Sequence, residues 1–221
     1  MNPIMIKVDN LRKTFGEEEV LKGISCEFAK GKMHAVVGNN GSGKSVFFKC
    51  ICGFIRPTQG HIYVNGKEIG KDIDFPDSIG VIIERPGFIP QMSGFQNLQI
   101  LARIRKKITD QEIKEVILKV GLDPLSKKPV GKYSLGMKQR LGIAQAIMED
   151  PELIILDEPF NGLDKNGVQE IRSLLTDLKG AGKTIFLTSH NSEDIRVLAD
   201  EVWEMDGGML HHIAQNKKCV L

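Results

Sequence analysis

The residues Gly38-Asn39-Asn40-Gly41-Ser42-Gly43-Lys44-Ser45 match the pattern G-x-x-x-x-G-K-[ST] at each of its fixed positions. Glycines in this pattern let the backbone turn tightly and point successive N–H groups at phosphate oxygens. Lys44 can reach the β- and γ-phosphates as a mobile positive charge, and the hydroxyl of Ser45 can ligate Mg²⁺. The alternative is a glycine-rich turn that binds no ligand. The pattern therefore predicts a loop for the phosphates of a nucleotide.

The segments on either side of this loop support the phosphate-binding interpretation. Met33–Val37 has the apolar character of a buried strand, and a helix is predicted to start at Ser45 and to reach Ile51. The dipole at the N-terminus of such a helix favours the same anion as the loop. We therefore expect the nucleotide site to extend from Gly38 through Val46.

Composition limits the classes of protein to which this chain can belong. It has 221 residues, of which 41% are hydrophobic and 26% are charged, as is ordinary for a protein with a packed core. A net charge of +2 gives no argument for nucleic acid or an anionic bilayer as the main partner. No apolar run approaches the roughly 20 residues that cross a bilayer, and the N-terminus lacks the layout of a signal peptide. We expect a cytoplasmic protein whose membrane role, if any, depends on another chain.

The cysteines give no indication of a metal site or a disulfide framework. Cys50 and Cys52 lie two residues apart on the predicted helix, so their side chains point in different directions. None of the four cysteines has the spacing of a metal ligand: Cys26, Cys50, Cys52 and Cys219. Reduced thiols that pack in the interior are therefore expected.

The order of predicted elements indicates the fold class. From Met5 to Val64 strands and turns surround the helix after the loop, residues 88–150 have helical patterns, and after Pro151 strands alternate with helices again. This alternation predicts an α/β fold with a largely parallel sheet and helices on both faces. We expect a single domain over residues 1–221, with a core formed by 1–86 and 151–213, an antiparallel β region at the N-terminus, and an inserted helical subdomain at about 87–150.

Two carboxylates follow the predicted strand Leu153–Leu156. Because the carboxyl ends of parallel strands meet at one edge of a sheet, Asp157 is expected near Ser45, where it can hold Mg²⁺ directly or through water. Glu158 is then placed to orient the water that attacks the γ-phosphate and to accept its proton. The alternative is a pair of acidic residues at a strand end that face solvent.

This combination resembles the ATP-binding-cassette (ABC) ATPases, a family of P-loop NTPases. Lys132–Arg140 looks like the signature motif of the family, in which a Ser and a Gly at the start of a helix face nucleotide held by the opposite subunit. Ser134 and Gly136 fit that motif, whereas Leu135 and Met137 replace the usual Gly and Gln. The resemblance implies that Ser134 caps the helix and that the adjoining N–H groups meet the γ-phosphate on the partner subunit.

Three further segments resemble family motifs. Phe160–Asp164 matches the D-loop, which runs along the dimer interface in the family. Thr188-Ser189-His190 matches the switch histidine, so the resemblance places His190 at the γ-phosphate. Phe15 lies where the family stacks an aromatic side chain on adenine. A structural histidine and a core phenylalanine are the respective alternatives.

Glu84 stands where the family usually has a glutamine that senses Mg²⁺ and the transport partner. A carboxylate can still reach the metal through water, but it adds negative charge beside the triphosphate. Arg85 could offset that charge locally. Glu84 together with Tyr133–Met137 is similar to the subgroup of bacitracin-resistance and lantibiotic-immunity exporters.

The resemblance implies an ATP-binding and ATP-hydrolysing subunit of a membrane exporter, with ATP and Mg²⁺ as its ligands. Since Lys44 and Ser134 serve nucleotides on different subunits, hydrolysis requires a head-to-tail homodimer or heterodimer with two ATP molecules between the subunits. Catalysis then involves Lys44, Glu158 and His190. The alternative is a regulatory ATPase of the same fold that controls a partner protein without transport. We expect no nucleic-acid partner.

The resemblance also implies a transmembrane permease subunit, through which the chain would lie at the inner face of the cell membrane. Force would pass through the helical subdomain and the loop at residues 84–95. The apolar side chains of Phe88, Ile89 and Met92 either form a docking groove for a partner helix or belong to the core of the subdomain. The cargo does not follow from this chain, because in the family the cargo contacts lie in the permease.

Overall fold

A computed structural model describes residues 3–84 and 86–213. Arg85, Cys219 and the rest of the C-terminal segment lie outside these residues. In chain order the elements are β1 (Ile4–Phe15), β2 (Glu18–Ala29), β3 (Met33–Val37), α1 (Lys44–Ile51), β4 (Gln59–Val64), β5 (Lys67–Glu68), β6 (Ile79–Ile82), α2 (Gly94–Arg105), α3 (Asp110–Lys119), α4 (Leu135–Ile147), β7 (Leu153–Leu156), α5 (Lys165–Gly180), β8 (Thr184–Leu187), α6 (Ser192–Leu198), β9 (Glu201–Asp206) and β10 (Met209–Ile213). A short 3₁₀ turn, Val130–Lys132, precedes α4.

The larger sheet has six strands in the order β10-β9-β3-β8-β7-β6. Strands β6, β7, β8, β3 and β9 are parallel, and β10 pairs with β9 in the antiparallel sense. Every residue of β7 and β8 is buried, as is typical of strands that are covered on both faces. The prediction of a largely parallel sheet is confirmed. Strand β8 lies between β3 and β7, so three carboxyl ends meet at one edge.

The smaller sheet is antiparallel and has the order β2-β1-β4-β5. It confirms the predicted antiparallel region near the N-terminus. Within it, β4 and β5 form a hairpin. Helix α1 packs between this sheet and one face of the larger sheet, where Phe28, Phe47, Phe48 and Phe186 form part of an apolar cluster. The loop before α1 is therefore fixed by packing from both sheets.

Helices α2 to α5 cover the opposite face of the larger sheet. Leu98, Ile113, Leu141 and Ile171 from these four helices belong to one buried cluster with Ile185 of β8. Within the described ranges, none of the helices has the length and apolar character needed to span a membrane. Helices on both faces of the sheet were predicted from the alternation of elements.

The starts of α2, α3 and α4 have side-chain caps. Ser93 and Thr109 each form a reciprocal capping box with the residue three positions on. The Ser134 hydroxyl accepts a hydrogen bond from the N–H of Met137 at 3.2 Å, which confirms that Ser134 caps α4. These caps fix where each helix begins.

The thiols of the described cysteines are free and mainly interior. Cys50 and Cys52 are buried, and Cys26 is partly buried. Burial raises the pKa of Cys50 to about 11 and that of Cys52 to about 12, so both thiols stay protonated. The expectation of packing thiols therefore fits these residues.

Candidate active site

The loop between β3 and α1 has a backbone that glycine alone accepts without strain. Gly38, Gly41 and Gly43 have φ values of 143°, 80° and 110°. A Cβ at Gly38 would lie 2.2 Å from the carbonyl oxygen of Met205, so β9 also excludes a side chain there. Around Gly41 a Cβ would meet nothing within 4 Å among the described atoms, which leaves this side of the loop open to a ligand.

The start of α1 provides unpaired donors beside this loop. Gly43 is its N-cap, and no described side chain caps the helix. The hydroxyl oxygen of Ser42 is buried and has no hydrogen-bond partner among the described residues. Free N–H groups at a helix N-terminus and a buried unpaired hydroxyl are the groups that an anion such as phosphate satisfies.

Lys44 lies folded across the loop. Its Nζ donates to the carbonyl oxygens of Gly38 at 2.7 Å and of Asn39 at 2.9 Å. Burial lowers the pKa of Lys44, whereas the carboxylates of Asp157 and Glu158 raise it. Two carbonyl oxygens are weak partners for an ammonium group, so a phosphate would compete well for this side chain.

Ser45 and Asp157 lie together, as predicted from the parallel sheet. The Ser45 hydroxyl donates to Oδ2 of Asp157 at 3.1 Å. The Thr188 hydroxyl donates to the other carboxylate oxygen, Oδ1, at 2.7 Å. A serine hydroxyl and a carboxylate are ligands that suit Mg²⁺. This pair of residues therefore fits the metal.

Glu158 has an unusual backbone. Its φ is 52°, in the left-handed region that side-chain-bearing residues rarely adopt. Its N–H donates to the Thr188 hydroxyl at 2.8 Å, and its carbonyl oxygen accepts from Nε2 of Gln139 at 3.2 Å. Nε2 of His190 lies 3.4 Å from Oε1 of Glu158. Burial raises the pKa of Glu158, and His190 opposes that rise.

These groups surround one cleft of about 250 Å³. Its walls bring together most of the residues that the sequence predicted to act on the nucleotide. The lining residues are Val20, Asn40, Gly41, Gly43, Lys44, Ser45, Val46, Asp157, Glu158 and His190. Asp157 and Glu158 both lie in this wall and are partly buried, which favours their predicted roles over the solvent-facing alternative.

Sequence reasoning missed three residues of this region. Val20 lines the cleft from β2, Thr188 bridges Asp157 and Glu158, and Gln139 reaches Glu158 from α4. Thr188 could have been found from the strand order, because a hydroxyl that follows β8 lies between the ends of β3 and β7. No local pattern identified Val20 or Gln139.

Two predicted site residues, Phe15 and Glu84, lie outside this cleft. Phe15 ends β1 with 46% of its surface exposed, so the core alternative is wrong for this side chain. The Lys13 ammonium lies 4.8 Å from the centre of its ring. Glu84 forms an ion pair with Lys49, Nζ to Oε1 at 2.5 Å, on the turn of α1 that follows Ser45. Neither residue lines the cleft.

Ser134 and Gly136 also lie outside the cleft of their own chain. They form the tip of α4 with Leu135, which is 58% exposed. A Cβ at Gly136 would lie 2.6 Å from the carbonyl oxygen of Gly162, and the Leu135 side chain covers Gly162. The tip of α4 and the loop at residues 160–164 are therefore in close contact within one chain.

Glu158→Gln is expected to raise the melting temperature of the nucleotide-free protein at neutral pH. The folded state raises the pKa of Glu158 above its ordinary value of 4.5, so folding loses stability as pH rises through the folded pKa. The advantage of the neutral amide should therefore shrink as pH falls toward 4.5. Thermal unfolding of wild type and Glu158→Gln between neutral pH and pH 4.5 measures this difference in melting temperature. The control is Glu17→Gln, since Glu17 is exposed. Equal melting temperatures of wild type and Glu158→Gln at neutral pH would contradict the expectation.

Comparison with known proteins identifies the family. The ABC transporter family model matches residues 21–161. The chain is 45% identical to the ABC transporter ATP-binding protein YybJ of Bacillus subtilis, over 93% of this chain and 94% of that protein. It is 42% identical to the bacitracin transport ATP-binding protein BcrA of Enterococcus faecalis (93% and 68% covered) and 39% identical to the lantibiotic transport ATP-binding protein SrtF of Streptococcus pyogenes (89% and 84%).

A solved structure supports the fold. The ATP-binding cassette MJ0796, in a dimeric post-hydrolysis state bound to ADP and Pi, superposes with a TM-score of 0.85 at 23% identity, over 95% of this chain and 98% of that one. At this identity the likeness establishes the P-loop NTPase architecture. Together with the matched family model and the relatives above 30% identity, it leads to one conclusion: the chain belongs to the ABC transporter family and is an ATP-hydrolysing, ATP-binding subunit.

Proposed function

We propose that this chain drives a membrane exporter of antimicrobial peptides or antibiotics, as a dimer that closes around two ATP molecules. The names of the bacitracin and lantibiotic transport relatives support the cargo class. Glu84 and the Tyr133–Met137 segment support the same subgroup. A regulatory role without transport is not favoured, because these relatives are transport proteins.

One observation supports the proposed dimer most directly. Lys44, Ser45, Asp157, Glu158 and His190 lie around one cleft, whereas the tip of α4 that the family uses on nucleotide is exposed outside that cleft. A second subunit in head-to-tail orientation would supply the missing tip. Both halves of the site occur in this sequence, so a homodimer has every residue needed, and a heterodimer with another cassette would use the same face.

In this mechanism the chain acts by positioning and electrostatics. The N–H groups of the loop and Lys44 bind the phosphates, and Phe15 stacks on the adenine. Ser45 and Asp157 would hold Mg²⁺, and Glu84, released from Lys49, would be a further oxygen ligand through water. When bound, Mg²⁺ neutralises charge that develops on the phosphate oxygens.

Glu158 takes a proton from the attacking water. The water oxygen bonds to the γ-phosphorus as the bond between that phosphorus and the bridging oxygen to the β-phosphate breaks. His190 donates a hydrogen bond to the γ-phosphate. From the partner subunit, the tip of α4 with Ser134 and Gly136 donates N–H groups to the same phosphate. Water attack is thereby confined to a closed dimer.

The permease would bind on the helical segment, residues 87–150, beside the loop before α2. Phe88 packs partly against the core, whereas Ile89 is 43% exposed. Asn97 is buried and holds Ile89 in place: its Oδ1 accepts from the N–H of Ile89 at 2.8 Å, and its Nδ2 donates to the carbonyl at 3.2 Å. An exposed apolar side chain on a fixed backbone suits a partner helix. This contact would place the chain at the cytoplasmic face of the membrane.

Glu158→Gln is expected to bind ATP and to form an ATP-dependent dimer, with kcat lowered by about 10²- to 10⁴-fold. The amide keeps the shape of the side chain but cannot accept the proton. Phosphate release measures turnover, light scattering measures the dimer, and Glu17→Gln is the control. Turnover at the wild-type rate would show that Glu158 is not the base, and a strictly monomeric, ATP-loaded variant would contradict the dimer.

Mixing two inactive variants tests the shared site. In a head-to-tail dimer, Lys44→Ala inactivates the phosphate loop of its own chain. Ser134→Arg inactivates the site whose phosphate loop belongs to the partner. A mixed dimer then has one site with both defects and one intact site. An equimolar mixture should recover about a quarter of wild-type turnover, since half of the dimers are mixed. If the mixture stays as inactive as each variant alone, sites are not shared in this way.

Ile89→Glu is expected to abolish co-purification with the proposed permease subunit, because a buried charge in an apolar contact is costly. ATP hydrolysis by the isolated subunit should be unchanged. Ile104→Glu is the matched control, since Ile104 is 73% exposed on α2, outside the loop. Retention of the membrane protein by Ile89→Glu would refute the docking site, and co-purification of a soluble regulator alone would refute the export role.

A further inference from the structure

We propose that Gln139 is a positioning residue for hydrolysis: with Thr188 it holds the backbone of Glu158, and it joins that backbone to the helix whose tip faces the partner's nucleotide. The inference rests on the proposed role of Glu158 as base. It adds a residue that forms no part of the cleft wall and that acts through Glu158.

The backbone of Glu158 needs such a constraint. Its φ of 52° is unfavourable for a residue with a side chain, because Cβ approaches the neighbouring carbonyl oxygen. Such a conformation persists only where surrounding contacts determine it. The direction in which the carboxylate leaves the backbone depends on this conformation, so a relaxed φ would move the carboxylate relative to Lys44 and the phosphates.

Hydrogen bonds hold both backbone polar groups of Glu158, the N–H and the carbonyl oxygen. Its N–H donates to the Thr188 hydroxyl at 2.8 Å. Its carbonyl oxygen accepts from Nε2 of Gln139 at 3.2 Å and from the N–H of Asn161 at 3.3 Å. The Asn161 bond closes a turn within the same loop, whereas Gln139 comes from another element. Because Gln139 is only 8% exposed, water cannot readily replace its amide in this role.

Gln139 lies five residues after Ser134 on α4, a distance of about 7.5 Å along a rigid helix. The tip of the same helix contacts Gly162, four residues after Glu158. Helix α4 therefore contacts the segment that follows β7 at two places: Gln139 binds the backbone carbonyl of Glu158, and the tip of the helix packs on Gly162. Movement of the tip on a partner's nucleotide would reach Glu158 through the Gln139 amide.

The same helix offers a matched control. Gln145 also lies on α4, but its Oε1 is buried and has no hydrogen-bond partner among the described residues. Replacement of either glutamine by methionine keeps an unbranched side chain of similar length and removes the amide. Gln139→Met removes the contact with Glu158, whereas Gln145→Met does not.

Gln139→Met is expected to lower kcat by about 10- to 100-fold, because small misplacement of a reacting group has effects of this size. The KM for ATP and the ATP-dependent dimerisation should stay at wild-type values. Hydrogen exchange of the nucleotide-free protein should be faster at residues 157–161. Gln145→Met should match wild type in all of these measurements. Thr188→Val and Thr188→Ser test the other contact: the serine should retain activity and the valine should lose it.

The outcomes separate this inference from the proposed base. If Glu158→Gln is inactive and Gln139→Met has wild-type kcat and exchange, Gln139 does not position the base. A parallel loss of ATP affinity, dimerisation and kcat in Gln139→Met would show a general structural defect and would also overturn the inference. If Gln139→Met does not fold, equal activity of Thr188→Val and wild type overturns it. Undiminished turnover in Glu158→Gln would instead refute the base.

Discussion

The contact between Ser45 and Asp157 depends on a strand that belongs to neither residue. β8 separates the strand before the phosphate loop from the strand before the two carboxylates. Thr188, at the end of β8, donates to Asp157 and accepts from Glu158, so it fills the gap between the outer strands. The order of three parallel strands therefore determines the distance between the loop and the carboxylates. Every other polar group of the cleft is arranged around that edge.

The site retains polar groups that folding alone leaves unsatisfied. The N-terminus of α1 has no side-chain cap, the Ser42 hydroxyl is buried without a described partner, and Glu158 has a strained φ. Each of these features opposes stability, since caps and buried hydrogen bonds ordinarily favour the folded state. The aromatic cluster beneath α1 offsets them, because Phe47 and Phe48 are wholly buried. The packing of α1 thus holds in place a loop whose N–H and hydroxyl donors remain available for a phosphate.

Sequence predicted the parts of this protein that are local. The glycine loop, the strands around it and the cap at Ser134 follow from short patterns, and the approach of Asp157 to Ser45 follows from the geometry of parallel sheets. Gln139 and Val20 could not be found in this way, because their contacts depend on how α4 and β2 pack against distant segments. The partner of Glu84 was missed for the same reason, since Lys49 carries no signal until α1 and the end of β6 lie side by side.

The pairing of Glu84 with Lys49 also explains how a carboxylate can replace the usual amide at this position. The Lys49 ammonium, 2.5 Å from the Glu84 carboxylate, supplies a compensating positive charge. Both side chains are partly exposed, so water screens the pair and its contribution to stability is small. A weak pair can be broken at low cost when a stronger positive charge enters the cleft. Glu84 therefore pairs with the Lys49 ammonium near the surface. On the proposed mechanism it would exchange that partner for the metal in the cleft.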